Sequence, residues 1–450
     1  MIFLPARSNI IMERVLIQDA PQHVGEVVKM SGWIDVRRDH GKMIFFVLRD
    51  RTGRIQSIVL PDAPEVIEVA SHVKIQSAVQ VEGLVKERPN KKATPGSLDT
   101  YELELKSLTV LGSPVEDLPI DVSQVEMGLQ LDTLLNNRTI ALRNDKIRGI
   151  FTMYSELLAS YEQAMRGAGF TEIKTPKILE AATEGGANFF KISYFDREAY
   201  LAQSPQFYKQ AGMSVFERVF EIGTVFRAEP HFTTRHVNEY TGFDAEMGFI
   251  EGVEDVMDAL EEAMYAMFEH IAKHCSAELA LHDAEAPARV AVPRIRLTEA
   301  LEILKKEFDK EVEDQDIDSE GERMICQYVK EKYGSDMVFL THYPTHLRPF
   351  YSMPSTDDPK YTETFDLLFR GVEIASGGQR IHLPEMLEES IKAKGLNPDD
   401  FKDYVDIFRF GTPPHGGWGL GSERIIQRLL NLGSIKEAVL YPRDVKRLAP

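Results

Sequence analysis

The chain has 450 residues, with 52 lysines and arginines against 71 aspartates and glutamates, a net charge of −19. Its 43% hydrophobic and 27% charged content is that of a soluble globular protein and excludes a disordered or fibrous chain. Two cysteines exclude a disulfide framework and paired-cysteine zinc sites, no apolar run approaches the ~18–20 residues of a membrane span, and the acid excess argues against nucleic acid as a partner.

At roughly 100–200 residues per domain, two to four domains are expected. Cys275 and Cys326 fit a reducing, cytoplasmic setting. The opening MIFLPARSNII lacks a basic n-region and a small-residue cleavage site, so no signal peptide is expected, and Met12 opens a cleaner sequence.

Residues 27–110 read as β. Val27–Ile34, Met43–Arg49 and Ile55–Leu60 are β-rich runs, divided by Arg37-Arg38-Asp39-His40-Gly41 and by the turn Asp50-Arg51-Thr52-Gly53. A helical interval at Ala63–Val73, a run at Ser77–Lys86, a Pro/Gly-rich connector at Arg88–Gly96 and a last run at Thr100–Val110 follow. Five short strands with one helix after the third suggest an OB-type barrel over 1–110; a generic small β-domain has the same strand count. Residues 111–140, with Pro114 and Pro119, read as a hinge.

From 141 to 450 the texture is α+β. Ile147, Ile150, Tyr154, Leu157, Tyr161 and Met165 recur at helical spacing, with Gly169 where a C-terminal cap belongs. Strands are expected at Val219–Phe226 and Phe243–Ile250, and a second helical stripe runs from Val253 to Ile271. Helices at 298–309 and 320–333, strands at Val338–Thr341, Thr364–Phe369 and Gly371–Ala375, and a helix at Ser422–Leu432 complete an antiparallel sheet flanked by helices.

Three segments carry chemistry. Phe226-Arg227-Ala228-Glu229 continues to Thr233-Thr234-Arg235-His236 between two strands. An Arg at a strand end can aim a planar donor fork at a phosphate or carboxylate, with Glu229 on the same face; the bland alternative is a solvated loop. Gly416-Gly417-Trp418-Gly419-Leu420-Gly421-Ser422-Glu423-Arg424 permits close backbone approach before a helix N-terminus, or is a tight turn before a core helix. Gly371–Arg380 places Glu373 in a strongly β segment, where a buried carboxylate needs a cation.

Together these blocks resemble the signature motifs of class II aminoacyl-tRNA synthetases, and within them the aspartyl-tRNA synthetases of the short archaeal/eukaryotic type. The resemblance covers nearly the whole chain. It includes the OB-type anticodon domain, Thr171–Glu180 with Pro176 (motif 1), FRAE…TTRH (motif 2) and GGWGLGSER (motif 3). It extends to Thr183–Ala187, Gln203-Ser204-Pro205-Gln206 and Arg348–Tyr351, with no room for the large insertion of bacterial-type enzymes.

The resemblance implies a role for each matching residue. Arg227 and Arg424 are the catalytic arginines. Arg227 would bridge the ATP α-phosphate and the aspartate carboxylate, and Glu229 would accept from the adenine amino group. Phe243, or failing that Phe232, would stack on adenine, and His236 and Arg424, beside Gly421, would hold the β/γ-phosphates. Glu373 and Ser376 would hold Mg²⁺ with ATP. The substrate carboxylate attacks the α-phosphate itself, so no protein nucleophile is needed. Lys209 and Arg380 would grip the side chain of L-aspartate, with Asp244 and Gln203 near its α-amino group, Ser204, Gln206 and Ser376 in the same pocket, and Glu184 in the loop that closes over it. Motif 1 implies a homodimer.

The acid excess is then too coarse a guide to nucleic acid. Lys29–Arg54 carries seven cations against three carboxylates, with Phe45 and Phe46 beside them, one of which faces outward by alternation. Arg37, His40, Phe45 and Pro89 are the anticodon candidates. In this family, a histidine at the position of His40 and a proline at that of Pro89 accompany relaxed reading of the third anticodon base. Both tRNA(Asp) and tRNA(Asn) are therefore expected as substrates, the second implying a tRNA-dependent amidotransferase as partner. Alternatives are a discriminating aspartyl enzyme, an asparaginyl-tRNA synthetase, a tRNA-free asparagine synthetase, and a catalytically dead RNA-binding paralogue.

Overall fold

The computed structural model describes residues 13–41, 43–88, 98–180, 188–230, 233–311 and 316–450. Two compact units divide the chain, Met1–Met127 and Gly128–Pro450.

In the first unit β1 (Val27–Asp39), β2 (Ile44–Arg49), β3 (Arg54–Val59), β4 (Ala78–Glu87) and β5 (Tyr101–Gly112) close a barrel in the order β1-β2-β3-β5-β4, with α1 (Pro64–His72) after β3. Strict alternation fills it: Ile44, Phe46 and Leu48 of β2 and Val79, Val81 and Val85 of β4 point inward. The β1–β2 register slips between Ile34 and Val36, leaving Asp35 as the extra, buried residue of a bulge. Its carboxylate accepts from Arg49 Nε (2.9 Å), Arg54 Nε (2.8 Å) and Gln76 Nε2 (3.0 Å). Two of the seven cations in this segment are thus held by an internal carboxylate, so the exposed basic surface is smaller than the sequence count suggests.

The second unit begins with α2 (Leu131–Asn136) and α3 (Arg138–Ala141). The buried Arg138 guanidinium donates to the carbonyls of Glu437, Val439 and Leu440, tying α3 to the chain's end. The hinge expected at 111–140 therefore includes the end of β5 and two short helices. Next come α4 (Asp145–Gly167), β6 (Thr171–Glu172), β7 (Ile178–Leu179), β8 (Lys191–Tyr194), β9 (Arg197–Leu201), α5 (Gln206–Phe216), β10 (Arg218–Phe226) and β11 (Glu239–Gly248). They are followed by α6 (Val253–His274), α7 (Ser276–Leu281), β12 (Arg294–Arg296), α8 (Leu297–Phe308), α9 (Ser319–Tyr333), β13 (Met337–Thr341), β14 (Thr364–Phe369) and β15 (Val372–Arg380). Last are α10 (Pro384–Ala393), α11 (Lys402–Phe408), β16 (His415–Gly421) and α12 (Ser422–Leu429).

Helix α4 shows how local rules set the frame. The Asn144 side chain caps its N-terminus, accepting from the Lys146 and Ile147 amides. Gly169 (φ +83°) ends it in a Schellman motif, with Phe170 N–H bonding Met165 O and Gly169 N–H bonding Arg166 O. Its apolar face meets the eight-stranded sheet β12-β13-β14-β15-β16-β11-β10-β6, antiparallel except at the β6–β10 and β12–β13 pairs. Tyr161 of α4 stacks on Phe243 of β11 with centroids 4.3 Å apart, and α6 completes the core on the same side. Alternation then sends Gly242, Asp244 and Glu246 of β11 to the opposite face. No helix among the described residues is long and apolar enough to cross a membrane.

The glycine-rich segment, expected to bring backbone close to a ligand or to form a tight turn before a helix, is the central strand β16, paired with β11 and β15 along its length. Its glycines answer to crowding. A Cβ at Gly417 would lie 2.1 Å from Ala245 O and 2.3 Å from a Glu246 carboxylate oxygen.

Candidate active site

A cavity of about 340 Å³ opens on the sheet face opposite α4 and α6. Its floor is β11, β15 and β16; α5 closes one end, and Arg227, Glu229 and Arg235–Val237 the other.

The α5 end is lined by buried charges. Lys209 Nζ donates to Asp244 Oδ1 (2.9 Å) and to Trp418 O (2.7 Å), and lies 3.8 Å from Glu246 Oε2. Arg380 donates from Nε to Glu246 Oε1 (3.1 Å) and from Nη2 to Gly417 O (2.9 Å), with its guanidinium over the Tyr351 ring. All four side chains are at least nine-tenths buried. Burial raises the Asp244 pKa, and the Lys209 charge works against that rise. Each cation keeps N–H groups beyond those spent on these partners, so the base of the cavity is rich in donors.

At the other end, Arg227 and Glu229 extend from β10. Arg227 Nη1 is 3.7 Å from Glu229 Oε1 and its guanidinium lies over the Tyr240 ring. His236 Nε2 lies 3.3 Å from Glu229 Oε2, and its Nδ1 is 2.6 Å from Thr233 Oγ1. Arg424, in the first turn of α12, donates to Glu373 O (2.7 Å) and sits 3.6 Å from its carboxylate. Burial raises the Glu373 pKa, the like charge of Asp366 adds to it, and Arg424 opposes. Asp366 is bound through Oδ2 to Arg348 Nη2 (2.7 Å), while its buried Oδ1 has no hydrogen-bond partner among the described residues. Arg348 also donates to Ser376 Oγ (3.1 Å).

The cavity thus gathers Arg227, Glu229, His236, Glu373, Gly421 and Arg424 toward one end. Gln203, Ser204, Gln206, Lys209, Asp244, Ser376 and Arg380 line it as well. Phe243 is the exception and is corrected. It is fully buried in the stack with Tyr161 on the other face of β11, so it offers no surface to a ligand. The aromatic that β11 turns to the cavity is Tyr240. Alternation points to it, since 240, 242 and 244 share a face. Arg348 was matched in the resemblance without a role, and Asp366 was missed; its signal is a lone carboxylate in the otherwise apolar strand Thr364–Phe369. Glu184 and Phe232 lie outside the described residues, as does Pro89 of the barrel.

On the barrel, Phe45 points outward and Phe46 inward. Exposed His40 meets Phe45 edge-on at 5.5 Å. Arg37 is partly committed, donating to Asp39 and to the carbonyls of Ala70 and Ser71 at the end of α1.

Residues 28–111 match the OB-fold nucleic acid binding domain. Residues 130–445 match the family described as tRNA synthetases class II (D, K and N). The aspartate–tRNA(Asp/Asn) ligase of Thermus thermophilus is 44% identical over 443 residues, 97% of this chain and 100% of that one. The aspartate–tRNA(Asp) ligase of Pyrococcus abyssi is 41% identical over 432 residues, covering 95% and 97%. The crystal structure of Pyrococcus horikoshii asparaginyl-tRNA synthetase with asparaginyl-adenylate superposes with TM-score 0.88 at 30% identity, covering 98% and 100%. An OB barrel, an antiparallel sheet with arginines at one end of its cavity, and matches spanning nearly the whole chain agree: this chain belongs to the class II tRNA synthetases of the aspartate, lysine and asparagine group.

Proposed function

We propose that this chain attaches L-aspartate to tRNA in two ATP-dependent steps, through an aspartyl-adenylate, and that it accepts both tRNA(Asp) and tRNA(Asn). The observation that carries the amino-acid assignment is the pair of buried cations at the cavity base. Lys209 and Arg380 each retain N–H donors after serving Asp244, Trp418 O, Glu246 and Gly417 O. A carboxylate is acceptor-only and suits them; an amide would turn its own NH₂ toward donors.

ATP would lie across the floor. Arg227 takes the α-phosphate and neutralises charge as the substrate carboxylate attacks phosphorus and pyrophosphate leaves. Tyr240 supplies the stacking face for adenine and Glu229 accepts its amino hydrogens. His236 and Arg424 hold the outer phosphates. The contact between His236 and Glu229 opens as ATP takes its place between them. The tRNA 3′-terminal hydroxyl then attacks the adenylate carbonyl, releasing AMP.

The residues fit Mg²⁺. Glu373, the Ser376 hydroxyl and the Asp366 oxygen that has no partner among the described residues are hard oxygen donors, and burial together with the like charge of Asp366 raises the Glu373 pKa. Among the described residues no group of three or more His, Cys, Asp or Glu side chains could hold a metal, as suits an ion that takes most of its ligands from phosphates and water. Bound there, Mg²⁺ supplies charge neutralisation and a template for the bent triphosphate.

Breadth toward tRNA rests on His40, seated against Phe45 on the outer barrel face, and on Pro89 in the sequence. Relatives of both names match at nearly equal identity, so the experiment decides. Aspartate-dependent ATP–pyrophosphate exchange is expected, with none from asparagine. Labelled aspartate should then charge separate tRNA(Asp) and tRNA(Asn) transcripts at comparable rates. Exchange with asparagine alone overturns the substrate; charging of tRNA(Asp) alone overturns the breadth.

A further inference from the structure

Three hydrogen bonds run behind the cavity from the backbone to Gln206, and a fourth joins them from Tyr404. His415 Nδ1 lies 2.9 Å from Pro413 O, an acceptor only, so this nitrogen carries the ring proton. The ring is fully buried, stacked beside Phe408, and faced by Glu246 of β11, by Arg380 at the end of β15 and by His382 beyond it. Burial lowers its pKa to about 4, so at neutral pH Nε2 is a bare lone pair. That lone pair is 2.8 Å from the side-chain amide of Gln210. A lone pair demands a donor, so Gln210 must turn its NH₂ toward His415, and the network assigns the amide. The Gln210 carbonyl oxygen then faces the other way. It accepts from the Tyr404 hydroxyl at 2.8 Å and from Gln206 Nε2 at 2.9 Å. Gln206 has therefore committed its NH₂, and its Oε1 is the end left over. No described residue hydrogen-bonds that oxygen, and Gln206 lines the cavity one helical turn before Lys209.

We propose that His415 and Gln210 are positioning residues for amino-acid binding: by fixing the polarity of the Gln206 amide they present an acceptor to the substrate's α-ammonium. The inference rests on the aspartate reading above. Aspartate carries two carboxylates, which only accept, and one ammonium, which only donates. Only the ammonium can satisfy Gln206 Oε1. Nothing in Gln206 itself selects oxygen over nitrogen, since its two amide ends have nearly the same shape. The selection is made by the neutral imidazole and relayed through Gln210. A reversed Gln206 would set N–H against N–H.

The test is amino-acid-dependent ATP–pyrophosphate exchange by the full-length chain. KM is measured for aspartate and ATP, and Ki for succinate, which is aspartate without its ammonium. His415→Leu removes the acceptor and frees the Gln210 amide to turn. The KM for aspartate should rise about tenfold, the worth of one charge-assisted hydrogen bond, while KM for ATP and Ki for succinate stay within about twofold. His415→Gln, whose side-chain oxygen can take the place of Nε2, should recover most of the loss. Should the leucine variant fail to fold by circular dichroism, Gln210→Met is measured in the same way, since it deletes both ends of the relaying amide. A parallel rise in aspartate KM and succinate Ki, or an unchanged aspartate KM, overturns the relay. Absence of aspartate-dependent exchange in the wild type overturns the substrate reading instead, and is read before any variant.

Discussion

Replacing Lys209 by methionine keeps the length of the side chain and removes its charge. In the folded chain Lys209 is 1% exposed and makes two short bonds, to Asp244 and Trp418 O. Its loss leaves Asp244 and Glu246 with Arg380 as their one buried counter-cation in this cluster. Breaking a buried pair from one side costs about 3–5 kcal/mol, so the urea midpoint of the variant should fall clearly at pH 7. The Asp244 pKa, already raised by burial, should rise further once the opposing Lys209 charge is gone. A carboxyl with a folded pKa above its unfolded value favours the native state at low pH and loses that advantage as pH rises through the folded pKa. The deficit of Lys209→Met against wild type should therefore shrink as pH is lowered toward 5. On activity, the lost bond to the substrate carboxylate is worth about 1.5–3 kcal/mol, or roughly 10–150-fold in the KM for aspartate. The KM for ATP should hardly move. Pyrophosphate exchange at increasing aspartate reads the first effect and urea unfolding at two pH values the second. A folded Lys209→Met with aspartate KM within about threefold of wild type would refute the assignment of the cation pair.

Three further outcomes are expected. Arg227→Ala should lower exchange by at least ~10²-fold, the usual loss when a preorganised charge donor is removed, while gel-shift affinity for tRNA stays close to wild type. Phe45→Ala should weaken tRNA binding by about 1–3 kcal/mol, one stacked base, with exchange unchanged because Phe45 belongs to the barrel unit and not to the cavity. Burial pushes the Cys275 and Cys326 thiols up to about 12. Both should react slowly with a disulfide reagent at pH 8 in the native chain and rapidly in urea; two fast native thiols would contradict their placement.

Much of this was legible in the sequence, for reasons that differ by element. Helix α4 announced itself through a 3.6-residue stripe and Gly169, since both are local signals. The barrel announced itself through five runs and a helix in the right order. β16 did not, because glycine disfavours strands unless neighbouring backbones demand it, and that demand comes from Ala245 and Gly378, far away in sequence. Phe243 was misplaced for want of one step: if Asp244 faces the cavity, Phe243 cannot. The basic count on Lys29–Arg54 overstated the surface because Asp35, at a bulge that no pattern revealed, takes in Arg49 and Arg54. The polarity of Gln206 depends on Pro413 O, more than 200 residues along the chain, and no spacing rule reaches that far.

The floor of peptide bonds at Gly417 also has an evolutionary reading. A floor without side chains offers mutation nothing to adjust, and a first methyl there would strike Ala245 O. Changes of amino-acid preference are therefore confined to α5, β11 and the end of β15, where Lys209, Asp244 and Arg380 stand. A lineage can exchange aspartate for a similar substrate by altering a few wall residues while the backbone of β16 stays fixed. That agrees with the near-complete superposition on an asparaginyl enzyme at only 30% identity. The crowding at Gly417 makes the β16 backbone the inherited part of the site, and the side chains around it the part open to divergence.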